Sequence, residues 1–159
     1  MKRLFLLPVL IFGFSLACDQ PYEEIEGIKI GCPYIGDLSK GTLKEDDERV
    51  TLYEYRLENS FFDSAEIEVV EGKIEGLSLL KIFNNLEALK RDRGILLGSL
   101  DKKWGEGVVI GDNEGLIVYV NKKPNSEYLG SIMVLSSFIE SAGIFRVAYT
   151  SKLLTPEFD

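Results

Sequence analysis

The sequence predicts an α+β domain: a single antiparallel meander sheet of about six strands with one long amphipathic helix packed on one face. Three observations predict it. Short β-rich segments lie on both sides of a central stretch, Val69 to Gly105. The connections between neighbouring segments are of hairpin length, too short for the crossovers that parallel pairing needs. Within the central stretch Leu86, Leu89, Arg93, Leu96, Leu97, Leu100 and Trp104 recur at spacings of three and four, which is one face of a helix.

Taken in order, Ile25 to Gly31 alternates apolar and polar residues as a short edge strand, and Pro33 ends it because proline cannot donate to a ladder. Ile35 to Arg49 reads as a solvated loop with a charge run from Lys44 to Arg49. It lacks the ladder of oxygen ligands that a calcium loop requires. Val50 to Leu57 alternates, with Tyr53 and Tyr55 on one face. Phe61 and Phe62 cover a core edge. Glu66 to Val70 is a strand with Ile67 and Val69 inward and Glu66 and Glu68 outward. Glu71-Gly72 forms a tight turn into a return strand that starts at Lys73, and Gly76 marks a bulge.

The return strand runs to Phe83. Asn84 with Glu87 has the spacing of a capping box. Arg93 is the one polar member of the helical stripe, and its stem reaches toward the rim. Lys102 and Lys103 suit the negative end of the helix dipole, and Gly105 closes the helix. Gly94 and Gly98 weaken the interior by roughly 1 kcal/mol each, and their spacing leaves one flank open to a close approach. Strands follow at 108–110, 116–120, 128–136 and 144–151, with turns at 112–115 and 121–127 and a tail over 153–159. No internal repeat or low-complexity tract is present.

At 159 residues the chain is one domain, residues 27–159, behind a leader. Removing residues 1–17, whose only charges are Lys2 and Arg3, takes the net charge from −8 to −10. Such a surface repels nucleic acid and anionic headgroups and suits a basic protein partner. The chain has no histidine. That removes every Ser-His, Cys-His and zinc-histidine arrangement. Two cysteines cannot form a thiolate metal site once Cys18 is otherwise engaged, so no metal is expected. Gly105, Gly107 and Gly111 follow a helix rather than a strand, which is the wrong order for a phosphate loop. No cofactor is expected, and the sequence predicts a protein that is not an enzyme.

The leader has a basic start, Lys2-Arg3, an apolar run from Leu4 to Phe14, and then Ser15, Leu16, Ala17 and Cys18. Residues 1–18 resemble the signal peptide of bacterial lipoproteins, departing from it where Ser15 stands in place of a Leu-type residue. The resemblance implies cleavage after Ala17, acylation of Cys18 with palmitate-type chains, and anchoring on the periplasmic side of a membrane. Asp19 resembles the signal that retains some lipoproteins at the inner membrane. Residues 18–26 would then be an acidic tether. Ser15 and Ala17 also fit an ordinary secretory cleavage site. On that reading Cys18 keeps its thiol and can pair with Cys32, closing a loop of about 15 residues worth ~3 kcal/mol.

Glu66, Glu68, Glu71 and Glu75 crowd two paired strands with only Lys73 among them, and form the candidate partner-binding residues. Like charges on neighbouring strands cost stability that a basic partner would relieve. The first functional expectation is a lipid-anchored envelope protein that binds another protein, in its most concrete form an inhibitor or immunity protein against a basic envelope-attacking enzyme. The second is a structural or assembly lipoprotein of an envelope complex. The third is a secreted carrier of a small apolar ligand, bridged between Cys18 and Cys32. Its ligand would lie between helix and sheet among Tyr53, Tyr55, Phe61, Phe62, Trp104 and Tyr119.

Overall fold

The computed structural model describes residue 18 and residues 23–35, 41–46, 49–110, 115–120, 129–139 and 142–154. The leader with Ser15 and Ala17, Asp19, and the turn at 121–127 lie outside the described residues, as do most of the 112–115 turn and of the tail. The strands are β1 (Glu23–Ile25), β2 (Ile28–Ile30), β3 (Gly41–Asp46), β4 (Val50–Arg56), β5 (Ser64–Val70), β6 (Lys73–Phe83), β7 (Val108–Val109), β8 (Leu116–Val120), β9 (Leu129–Ile139) and β10 (Ala142–Ser151). One helix, α1 (Leu86–Trp104), separates β6 from β7.

Eight strands form one antiparallel sheet in the order β3-β4-β5-β6-β10-β9-β8-β7, and β1 and β2 form a separate hairpin. The sheet is therefore two meanders of four strands, joined where β6 pairs with β10. Strand residues make up 59% of the described chain. This corrects the expected fold class. The domain is mostly β, its sheet has eight strands rather than about six, and no single meander follows chain order. The extra strands have physical reasons. β3 lies in the stretch expected as a loop, and its Thr-Leu-Lys-Glu-Asp side chains are exposed because it is an edge strand. Charged side chains on an edge discourage pairing with other chains. β7 is only two residues long and forms the opposite edge. Residues 23–25, within the expected acidic tether, are strand β1.

Tight turns carry the chain between strands. Glu26-Gly27 and Glu71-Gly72 both have positive φ at each residue (52° and 76°, 50° and 80°), the geometry of a two-residue hairpin turn. The bulge expected at Gly76 is present. Glu68 pairs with Gly76 and Val69 with Ile74, so Glu75 is the extra residue. Its consequence is that Ile74 and Leu77, three apart, are both buried.

Two cross-strand rows build the core. One runs Tyr53, Ile67, Leu77, Tyr149, Ile132, Tyr119, and the next Tyr55, Ala65, Leu79, Val147, Val134, Ile117. Most of these side chains are fully buried. The β1–β2 hairpin closes one end of this face. Ile30 is buried in the same cluster, and Gly31 N donates to Ile74 O at 2.7 Å.

The helix lies on the same face. Asn85, rather than Asn84, is its cap. The Asn85 side chain accepts from Glu87 N at 2.8 Å and Ala88 N at 3.1 Å. Gly105 closes it with φ 84° and donates its N–H to Asp101 O. Of the expected stripe only Leu89 and Leu100 are buried; Leu96, Leu97 and Trp104 pack partly against the core, and Leu86 is exposed. Gly143 lets the helix sit down: a Cβ there would lie 2.8 Å from the Phe138 ring and 3.1 Å from Leu89 Cδ2. Tyr119 donates to Asp101 Oδ1 at 2.9 Å and ties the second half of the helix to β8. Burial, helped by that carboxylate, holds the Tyr119 hydroxyl well above the ordinary tyrosine range. Among the described residues the flank at Gly94 and Gly98 is not approached; none lies within 4 Å of a Cβ at either.

These glycines give opposite predictions. Gly94→Ala and Gly98→Ala should each stabilise the domain by roughly 0.5–1 kcal/mol, since alanine meets open space in a helix interior. Gly143→Ala should destabilise it by about 1–3 kcal/mol through overpacking. Urea unfolding of the three variants against the parent chain checks both signs.

Candidate functional site: an open sheet face and a cleft under the helix

The helix and the β1–β2 hairpin both cover one face of the sheet. The other face carries the alternate residues. Ile82 pairs with Ile144, Leu80 with Arg146 and Ser78 with Ala148. Arg146 continues to Leu135 and Ala148 to Met133 on β9. Along this face Ile82 is 57% exposed, Ile139 68%, Ile144 44%, and Met133 and Leu135 each 40%. These residues form an apolar strip running over the three neighbouring strands β6, β10 and β9.

Ion pairs border the strip on one side. Arg146 Nη2 lies 3.3 Å from Glu66 Oε2, and Lys44 pairs with Glu54 on neighbouring strands. Glu66, Glu68, Ser78 and Arg146 line a shallow depression of about 150 Å³. The Ser78 hydroxyl there has no hydrogen-bond partner among the described residues.

The four candidate acids do not form one acidic surface. Glu66 and Glu68 share the open face, and Glu66 is paired with Arg146. Glu68 folds over Gly76, where a Cβ would meet its Oε2 at 2.7 Å. Burial, with a smaller contribution from the Glu75 charge, raises its pKa. Glu75 is the bulged residue, only 4% exposed, and its Oε2 has no hydrogen-bond partner among the described residues. Glu71 sits in the β5–β6 turn, exposed. The bulge is what separates the acids, and a strict alternation hides it.

Among the described residues the aromatic set is divided between the core and its margin. Phe62 and Tyr119 are buried in the core. Tyr53 stacks on Tyr34 with ring centres 4.7 Å apart, and the Tyr55 hydroxyl hydrogen-bonds that of Tyr34. Phe61 packs edge-on against Phe62. Burial pushes Tyr149 up to about 12, with Glu26 and Glu23 adding to the shift. The larger opening lies elsewhere, between the first half of α1 and the β8–β9 end of the sheet. It has a volume of about 650 Å³, and its lining includes Leu86, Leu89, Lys90, Arg93, Ile110 and Phe138. Sequence reasoning missed it. The one available signal was a cation, Arg93, on an otherwise apolar helical stripe, three residues from Lys90.

Cys18 and Cys32 are joined by a disulfide with Cα atoms 5.3 Å apart. Among the described residues no three carboxylates or thiols converge as metal ligands, and no helix is long and apolar enough to cross a membrane. Comparison with known proteins finds no matching family model, no similar curated protein and no similar solved structure.

Glu68 gives a pH-dependent prediction. Its folded pKa is raised, so the native state binds this proton more tightly than the unfolded chain. Its charge therefore opposes folding once the pH rises above the ordinary carboxylate range. Glu68→Gln should raise stability at neutral pH, and the gain should vanish as the pH falls below that range. Denaturant midpoints of both proteins across the acid range read the difference directly; an advantage that persists at the acid end contradicts the assignment.

Proposed function

We propose that the chain is a non-catalytic binding domain of the bacterial cell envelope that takes a protein partner on the open face of its sheet. One observation carries this reading: Ile82, Met133, Leu135, Ile139 and Ile144 share one face of the sheet, all at least 40% exposed. Contiguous exposed apolar surface rimmed by polar groups is characteristic of interaction sites. The Arg146–Glu66 and Lys44–Glu54 pairs supply such a rim. The partner presents an apolar surface of its own. The acidic balance of the chain steers basic partners toward it. That agrees with an inhibitor or immunity role against a basic enzyme that attacks the envelope.

Ile144→Asp places a charge on the strip without disturbing the core, because Ile144 is already half exposed. Cross-linking in intact cells should give a discrete adduct with the parent chain and lose it with Ile144→Asp. Titration of the pure protein with basic peptidoglycan-cleaving enzymes at low salt tests the inhibitor form. If no such enzyme binds, and yet a cross-linked partner is present constitutively, the assembly role replaces it.

The proposed address rests on the leader. Both readings of residues 15–18 carry the domain out of the cytoplasm, where a disulfide persists. Acylation and the bridge to Cys32 use the same sulfur. The paired cysteines support a released domain, and the resemblance of the leader supports an anchored one. No single molecule carries both. Mature protein recovered from membranes with a diacylglyceryl adduct on Cys18 should have a Cys32 thiol that reacts with maleimide after denaturation. Soluble protein should lack the adduct and be two hydrogens lighter than its reduced form. An adduct found together with an unreactive Cys32 contradicts this exclusion.

A further inference from the structure

The depression of about 150 Å³ on the open face lies over β4, β5, β6 and β10, and every residue that lines it belongs to one of those strands. It adjoins the apolar strip at Arg146, which pairs with Leu80 on one side and Leu135 on the other. The bulge shapes its floor. Glu68 pairs with Gly76, and the missing Cβ there leaves room for the Glu68 carboxylate to fold down onto the sheet. The neighbouring acids are matched: Glu66 meets Arg146 and Glu54 meets Lys44. Among the described residues no cation lies within ion-pair distance of Glu68. Burial and the like charge of Glu75 both hold its pKa up, so a cation brought to it would relieve a cost that the fold alone leaves standing. Ser78 lies two residues along β6 from Gly76. It is thus the diagonal neighbour of Glu68, roughly 7–8 Å away along the backbone. Its hydroxyl is buried, without a hydrogen-bond partner among the described residues. A carboxylate and a hydroxyl at this separation can be bridged by one planar group with several donors.

We propose, resting on the open-face reading, that this depression receives an arginine side chain of the protein partner, its guanidinium donating to the Glu68 carboxylate and the Ser78 hydroxyl. Arginine fits better than lysine, because its donors form a rigid fork and its charge is weakly hydrated. The apolar strip alongside would keep water from the contact, the setting in which interface arginines contribute most. A divalent metal ion fits less well. Among the described residues no three carboxylates or thiols converge, and the charge of Arg146 stands on the same wall.

The test follows amide shifts of the isotope-labelled full chain during titration with N-acetylarginine amide. N-acetylcitrulline amide, in which a neutral urea replaces the guanidinium, is the control. The expected result is a saturable shift at Gly76, Ser78 and Thr150, with the citrulline compound about tenfold weaker. Glu68→Gln removes the charge but keeps an acceptor oxygen, and should weaken the arginine compound about tenfold. Ser78→Ala should weaken it about threefold. In intact cells Glu68→Gln should reduce the cross-linked adduct about tenfold. The absence of a saturable shift overturns the proposal. So do equal shifts from the two compounds, arginine binding unchanged in both variants, or saturation of these amides by calcium or magnesium alone. An adduct lost in Ile144→Asp yet kept in Glu68→Gln also overturns it, while the open-face reading stands. Saturable arginine binding with no adduct in cells rejects the open-face reading and upholds the arginine site.

Discussion

The pairing of β6 with β10 is the constraint on which the rest of the molecule depends. These are two of the longest strands, and they stay in register from Gly76–Thr150 to Phe83–Gly143. Each half of the sheet is a local meander that its own turns can specify. The seam between them joins residues some seventy positions apart, and loop closure must be met before it forms. What holds it is burial. Leu77, Leu79, Phe145 and Val147 lie on the seam's inner face and are essentially inaccessible to water. A β6 strand without its partner would expose that row. The helix is the connection that makes the seam possible: it leaves β6, crosses the inner face and delivers the chain to the far edge, from which three hairpins bring it back.

That route also explains why surface is left over. Eight strands spaced about 4.8 Å apart make a sheet roughly 34 Å wide. A helix of 19 residues is about 28 Å long and about 10 Å across, with side chains included. One such rod and a short hairpin cannot roof even a single face. The cleft opens where the first half of the helix stands away from β8 and β9, and the opposite face has no roof among the described elements. The two candidate surfaces are therefore consequences of topology. A six-strand sheet under the same helix would leave much less of either.

Local patterns in the sequence carried local structure. The spacing of three and four located the helix, its closing glycine was readable, and alternation placed Ile67 and Val69 inward. The cap slipped by one residue because Asn84 and Asn85 have the same capping chemistry, and only the backbone decides between them. β3 was invisible because alternation marks strands that bury one face, whereas β3 buries almost nothing. The sheet order was illegible for a deeper reason: nothing in β6 names β10 as its neighbour rather than β7. For the sites, the position of Gly76 signalled the bulge but not its effect. A single inserted residue took Glu75 off the outer row and into the interior, which dissolved the acidic patch. The open apolar strip was illegible because Ile82, Ile144 and Leu135 come together only through the pairing of β6 with β10 and of β10 with β9, which no local pattern reveals.

The charge distribution follows from the same geometry. Alternation gives each strand two faces, and in this sheet both carry apolar residues at the centre. Most acids among the described residues lie where water remains, on the edge strand β3, on the helix, at turns and along the border of the open face; Glu75, in the bulge, is the exception. Glu66 meets Arg146 there, and Glu54 meets Lys44. Among the described residues the acids thus lie mainly away from the middle of the open face, where Arg146 is paired with Glu66. A partner drawn in by the field would meet a surface whose central contacts are apolar. The field would set the rate of encounter, and buried area would set how long the complex lasts.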